Sequence, residues 1–403
     1  MPDEPTADNT RTTVKMAIFY GAVFTLIGIH MPFWPLWLKA KGLGATEIGI
    51  IIAASVGLKV IFNPLITHAA DRRGQRRPII ITMSVLAFVS FMMFAFTDGF
   101  WGILLVSILF FAFWSPIMPL GESLTMLSGS SRKEVSGNTG GNSSELNYGR
   151  IRLWGSLSFI AATVGTGYVL AGRSPDIVYW VLLGALALVI GACLMLPRTL
   201  APVSMQPGFS TFEVLRDRRF VLFITACALI QSSHSVYYGF ATLNWQAQGF
   251  SENTIGWLWA EAVFAEIVLF IFGARLVDRF GPGALIALGG IAGTLRWSLS
   301  GLTDQLTALL FLQMLHAFSF GATHLGAIYF ISRRVPQHLS ASAQGLYSAV
   351  VMGLMLGLVM LWSGRLFDLY GPGAYQPMAF ISATGALLAI ALVKRCVRTE
   401  PGN

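Results

Sequence analysis

Charge is what this sequence has least of. Only 11% of its 403 residues are Asp, Glu, Lys or Arg, against roughly a quarter in soluble domains. That scarcity excludes a soluble enzyme with a large water-facing surface. Cysteine is nearly absent: Cys193, Cys227 and Cys396 are scattered, with no metal-ligand spacing, and they say nothing of redox compartment. No segment shows the short apolar–polar alternation of a membrane barrel. The opening MPDEPTADNT is polar and acidic and lacks a signal-peptide pattern, so the first apolar run is expected to serve as its own insertion signal. Glycine-rich pieces such as Gly281-Pro282-Gly283 read as turns, and nothing matches a Walker sequence or another catalytic motif. An enzyme, a cofactor, a metal site and ATP-driven transport are therefore not expected.

What the chain does have is apolar length. It is 55% hydrophobic, its mean hydropathy is +0.66, and runs of about 20 apolar residues recur from end to end, the mark of a polytopic helical membrane protein. Twelve spans are expected, at roughly 15–38, 46–68, 78–97, 100–127, 151–171, 176–196, 220–243, 254–276, 283–302, 306–330, 341–363 and 374–394. A polar, proline-bearing connector divides six spans from six, an arrangement of parallel halves. The organisation expected is a tail at 1–14, a six-helix bundle at 15–197, a linker at 198–219, a second bundle at 220–395 and a tail at 396–403.

Orientation follows from the cations. Lys39, Lys41, Arg173 and Arg365 fall on one side, and Lys59 and Arg296 fall inside spans. The remainder of the 27 Lys and Arg residues sit on the side of the termini and the central linker. That bias puts both termini in the cytoplasm, and it accounts for the net charge of +8 without nucleic acid as a partner.

An internal echo supports the two halves. Asp71-Arg72-Arg73-Gly74 follows span two, and Asp278-Arg279-Phe280-Gly281 follows span eight. A third copy, Gly364-Arg365-Leu366-Phe367-Asp368-Leu369-Tyr370-Gly371, follows span eleven. A short charged turn with a helix-ending glycine lets an acid cap a helix or pair across the bundle. Asp71, Arg72, Gly74, Asp278, Arg279 and Gly281 are thus expected to form cytoplasmic gating loops.

Function must come from ionisable groups at membrane depth, each costing about 2.5–3.5 kcal/mol at a helix centre by insertion scales. The candidates are His30, Lys59, Glu122, His234, Glu261, Glu266, Arg296, His316 and His324. Two groupings stand out. Glu122 and Arg152 flank the hairpin between spans four and five at matching depth, a pair suited to one half of a substrate site. Glu266, Arg296 and His316 lie near the middles of three consecutive spans, bringing an acid, a base and an imidazole together for proton coupling. Glu261, five residues before Glu266, points about 140° away at 3.6 residues per turn and is set aside. His234 with Tyr238 suits a planar or hydroxylated ligand. Lys59 is expected either to snorkel towards the cytoplasm or to pair with Glu122, and His30 to pack near the outer surface. Trp34 and Trp37 are expected in the interfacial aromatic belt.

The stretches PFWPLWLK, YGRIRLWGS, HSVYYGFATLNWQAQGF and LRWSLSG resemble the phenylpropionate permease family of major facilitator transporters over nearly the whole chain. More distantly the chain is similar to the lactose permease and nucleoside–proton symporter group. That resemblance implies an all-α membrane protein of twelve helices in two halves, working in the inner membrane as a monomer. It also implies that Glu122 and Arg152 match the acid and arginine that hold sugar in lactose permease. Arg296 and Leu315-His316-Ala317-Phe318 match its span-nine arginine and span-ten histidine segment. Two departures matter: its proton-carrying glutamate is Ser319 here, and its sugar-stacking tryptophan falls at Phe159, which suits an aromatic substrate. The expectation is a proton symporter importing a small organic acid such as 3-phenylpropionate. Glu122, Arg152, Phe159, His234, Tyr238, Arg296 and His316 would bind substrate, and Glu266 with His316 would carry the proton. A sugar or nucleoside symporter, an efflux pump and a non-transporting sensor are the alternatives.

Overall fold

The computed structural model describes residues 7–136, 148–199, 211–336 and 339–397. The expected tails beyond these, the soft connector at 137–147 and the linker at 200–210 lie outside the described residues. The first half comprises α1 (Ala7–Ala40), α2 (Ala45–Arg73), α3 (Arg77–Met92), α4 (Gly99–Trp114), α5 (Ile117–Ser136), α6 (Tyr148–Leu170) and α7 (Ile177–Met195). A short α8 (Thr211–Arg216) lies within the linker. It leads to α9 (Arg218–Ser232), α10 (Ser235–Ala247), α11 (Glu252–Ile271), α12 (Gly273–Phe280), α13 (Pro282–Ser300), α14 (Leu306–Met314), α15 (Thr323–Arg334), α16 (Ser340–Tyr347), α17 (Leu356–Tyr370) and α18 (Tyr375–Val397).

Against twelve expected spans, ten segments among the described residues are long and apolar enough to cross a membrane, which makes this a multi-pass membrane protein. The difference has a physical basis. One segment, Ser342–Arg395, runs 54 residues, about 80 Å of helix at 1.5 Å per residue, and it turns at Gly371, whose φ is +52°. The glycine-rich α13, carrying Arg296, falls outside the ten.

Several expected spans are broken helices. Pro116 lacks an N–H and crowds the preceding turn, so α4 stops at Trp114 and α5 resumes at Ile117. Between α9 and α10, the chain breaks at Ser233–His234. The π-helical turns Ala317–Ala322 and Ser348–Met355 interrupt the paths of α14 to α15 and α16 to α17.

Burial shows how the halves meet. On the face away from the termini one apolar core draws on both halves, from Phe33, Trp34 and Trp37 through Phe91 to Phe240, Trp259, Trp297 and Met360. Towards the termini this core divides. Phe19, Leu120 and Val189 belong to a first-half cluster, while Phe223, Phe330 and Leu392 belong to a separate second-half cluster. Close backbone approach seals the shared side: a Cβ on Gly49 of α2 would stand 2.8 Å from Gly364 Cα of α17, and one on Gly167 of α6 would stand 2.6 Å from Glu252 O. Trp34 and Trp37 sit in this sealed core, 2% and 1% exposed, with rings stacked 4.5 Å apart. The interfacial position expected for them is wrong, because α1 is central and turns that face onto α3 and α7. Trp101, Trp154, Trp180, Trp257 and Trp362 are the exposed tryptophans among the described residues.

Candidate substrate and coupling site

The break between α9 and α10 builds the first wall. Interrupting a helix leaves carbonyls without their usual donors, and His234 Nδ1 lies 3.2 Å from the carbonyl oxygens of both Ile230 and Gln231. Nδ1 therefore donates, leaving Nε2 to accept from Ser319 Oγ at 3.2 Å. Ser233 Oγ accepts from Trp297 Nε1 at 2.9 Å. Tyr238 stacks on His234, their centroids 5.6 Å apart.

Arg296 of α13 is the centre of the cluster, 1% exposed. Its Nη1 donates to His316 Nδ1 at 2.9 Å, and its Nη2 donates to Gln313 Oε1. The guanidinium lies over two rings, 4.3 Å from the Tyr237 centroid and 4.5 Å from that of Trp297. A guanidinium cannot accept, so Nδ1 of His316 must be the bare nitrogen and Nε2 carries the hydrogen. That N–H faces Glu266 Oε2 at 3.9 Å, too long for a hydrogen bond and within reach of a small rearrangement. Gly321, on the π turn, leaves room for the acid: a Cβ there would stand 3.3 Å from Glu266 Cγ.

The other half contributes Arg152 of α6. Its guanidinium lies 4.1 Å from the Phe24 ring centroid, close enough to Glu266 and to His324 to act on their charge. His324 continues an aromatic column: His316 stacks on Phe320 at 5.3 Å and Phe320 on His324 at 5.9 Å.

The structure thus brings together Glu266, Arg296, His316, His234 and Tyr238, with Arg152 in electrostatic range of Glu266. Glu122 is half-buried on α5. Phe159 is buried where α6 crosses α1, its backbone against Gly28. Lys59 is exposed on α2 and within electrostatic range of His30. His30 itself packs against Trp34 and Phe111. Glu261, set aside on helical angle, has a buried Oε2 without a partner among the described residues and acts on Tyr237. Helix α11 lies against the cluster broadly enough for both acids to approach it. Tyr237, Gln313, Trp297 and Ser319 were not singled out from sequence as site residues. Gln313 and Ser319, each three residues from His316, were the available signal.

The charged loops differ in what they join. Asp71 accepts from Arg76 Nη2 at 2.7 Å, and Arg76 Nε donates to Ser123 Oγ at 2.7 Å, so Arg76 rather than the exposed Arg72 is its partner. Gly74 ends α2 with φ +63°. Asp278 pairs with Arg333 at 2.5 Å, Arg279 lies over Phe280, and Gly281 takes φ +79°. Both pairs stay within one half. Asp368 instead crosses between halves, accepting from Ala45 N at 3.1 Å, Thr46 N at 2.8 Å and the Thr46 hydroxyl.

Comparison with known proteins gives consistent findings. Residues 13–376 match the model of the MFS_1 like family. The chain is 29% identical over 396 residues to a probable 3-phenylpropionic acid transporter of Escherichia coli strain K12, covering 96% of this chain and 99% of that protein. It is 26% identical over 388 residues to the maltose permease of Geobacillus stearothermophilus, covering 94% of each. Among solved structures, a single-site mutant of the nucleoside transporter NupG superposes with a TM-score of 0.81 at 17% identity, covering 95% of this chain and 99% of that one, a likeness of fold.

Proposed function

The chain belongs to the MFS_1 like family of major facilitator transporters and is not an enzyme, and from that premise we propose that it imports a small aromatic carboxylate together with protons. The observation that carries this reading is the buried Arg296 stacked on Tyr237 and Trp297 and bonded to His316, beside Glu266 and opposite Arg152. Cations framed by aromatic rings suit an acid whose other end is a ring. In this reading the substrate carboxylate takes Arg152 away from Glu266. A proton on Glu266 then keeps the net charge of the cluster unchanged, and His316 Nε2 lies next in line to pass it on. Arg296 holds His316 in the tautomer that faces the acid. One proton entering with one carboxylate moves no net charge, so the pH gradient is the drive, about 1.4 kcal/mol per unit.

The transport cycle is alternating access by a monomer in the inner membrane, with twelve crossings, halves at 15–197 and 220–395, and both termini cytoplasmic. The split core towards the termini and the shared core opposite support a state open to the cytoplasm. A second reading, a sugar or nucleoside symporter, draws on the maltose permease and on a putative nucleoside transporter of Escherichia coli strain K12, 25% identical over 379 residues.

Uptake of labelled 3-phenylpropionate into proteoliposomes, with and without an inward proton gradient, tests the reading. Wild type is expected to accumulate the acid only with the gradient. Glu266→Gln is expected to lose accumulation while keeping counterflow exchange. Undiminished accumulation in the variant removes Glu266 as carrier, and no transport of the acid by wild type moves sugars and nucleosides to the front.

A further inference from the structure

A cleft of about 430 Å³ opens on the face that carries the termini, between the start of α1, the start of α3 and the end of α7. Four cations line it: Arg11 and Lys15 one turn apart on α1, Arg77 at the first position of α3, and Arg198 just past α7. No carboxylate is among its lining residues that the structure describes. Four like charges gathered from three separate elements repel one another, and an anion between them reverses the sign of that interaction. Arg77 is already fixed in place, its Nη2 donating to the Leu194 carbonyl at 2.6 Å. The first turn of α3 adds the positive end of a helix on the same side.

We propose that this cleft binds a phosphate-bearing anion, and that the anion is the headgroup of an acidic phospholipid. Guanidinium forks match phosphate oxygens, and basic pockets on this kind of face suit lipid headgroups. The apolar surface beside the cleft argues for the lipid over free phosphate. Leu194 and Met195 at the cleft remain 54% and 44% exposed, and Val14 and Ile18 on α1 remain 50% and 40% exposed. A headgroup seated among the four cations would lay its acyl chains on that surface, whereas inorganic phosphate makes no use of it. The positive-inside bias explains why cations are on this face; it does not explain why four converge on one cleft.

The test is native mass spectrometry of the full chain released from detergent, after exposure to equal amounts of phosphatidylglycerol and phosphatidylcholine. Wild type is expected to retain phosphatidylglycerol with a preference of about tenfold or more, given roughly one factor of five per surface cation. The triple variant Arg11→Gln, Lys15→Gln, Arg198→Gln, which leaves the Arg77–Leu194 contact intact, is expected to lose that preference. A thermal-unfolding titration with inorganic phosphate is run alongside, and it also reports that the variant is folded. A preference that survives the triple substitution removes the lipid from this cleft. Stabilisation by inorganic phosphate without lipid preference keeps the anion site and overturns the lipid as its source. Neither lipid preference nor phosphate response in wild type overturns the site.

Discussion

Arg296 draws its stability from four groups at once, which makes it the least replaceable residue of the cluster. A lysine carries the same charge but is a point donor without a planar fork. It cannot lie flat between Tyr237 and Trp297 while serving both His316 Nδ1 and Gln313 Oε1. Arg296→Lys is therefore expected to weaken substrate binding by about tenfold or more, the equivalent of roughly 1.4 kcal/mol. Equilibrium binding to detergent-solubilised protein would check this, and unchanged affinity would take Arg296 out of the site. Ser319 bears on a different property. It stands where the lactose permease group has its proton-carrying acid, and here its hydroxyl donates to His234 Nε2 in a fully buried setting. Ser319→Ala leaves that nitrogen without its donor and is expected to cost about 1–3 kcal/mol of stability, read as a lower unfolding temperature. A hydroxyl cannot hold a proton for transport, so the same variant should keep gradient-driven uptake.

Helix interruptions are what shape the site. A continuous helix through Ser233–His234 would bond the carbonyls of Ile230 and Gln231 to backbone N–H groups and leave His234 free to turn away. At the break the imidazole shares those carbonyls, Ile230 O with the Ser233 hydroxyl and Gln231 O with the His234 backbone N–H, and that fixes which nitrogen faces Ser319. Likewise the π turn at Ala317–Ala322 follows directly on His316, and such turns recur at functional positions. Between the halves, one close seal is α2 against α17, where two glycines meet. With a Cβ on Gly49 only 2.8 Å from Gly364 Cα, Gly49→Val cannot fit without separating the helices. This substitution is expected to favour the state open on the face away from the termini. A cysteine placed at Ala53, in a background without the native cysteines, should then react severalfold faster with a water-soluble maleimide. No change in that rate would mean that the contact does not gate access.

At the scale of the whole molecule, the two halves share one core on one side and keep separate cores on the other. A rigid-body rocking of one half against the other would exchange those conditions. Of the three charged echoes, only Asp368 spans the halves in this state, holding the first turn of α2. Asp368→Ala is expected to loosen the sealed face and raise maleimide labelling at the Ala53 position. Asp278→Asn, whose partner Arg333 lies in the same half, should leave that labelling unchanged. Equal effects from both would contradict an assignment of latch function by which halves are joined.

Composition and run length alone determined that this is a multi-pass helical membrane protein, because hydrocarbon admits only segments that bond their own backbone. The resemblance of YGRIRLWGS and LRWSLSG reached the transporter family, and the depth of Glu266, Arg296 and His316 along their spans was enough to group them. Depth is linear in sequence, so it can be read there. Azimuth is not: which side of α1 bears Trp34, or whether Glu261 can approach Tyr237, depends on the neighbours that each helix meets. Only the tertiary structure decided those faces. It also supplied the breaks at Ser233–His234 and Ala317–Ala322, where side chains compete with the backbone for carbonyls, and it chose Arg76, Arg333 and the first turn of α2 as the partners of the three repeated aspartates.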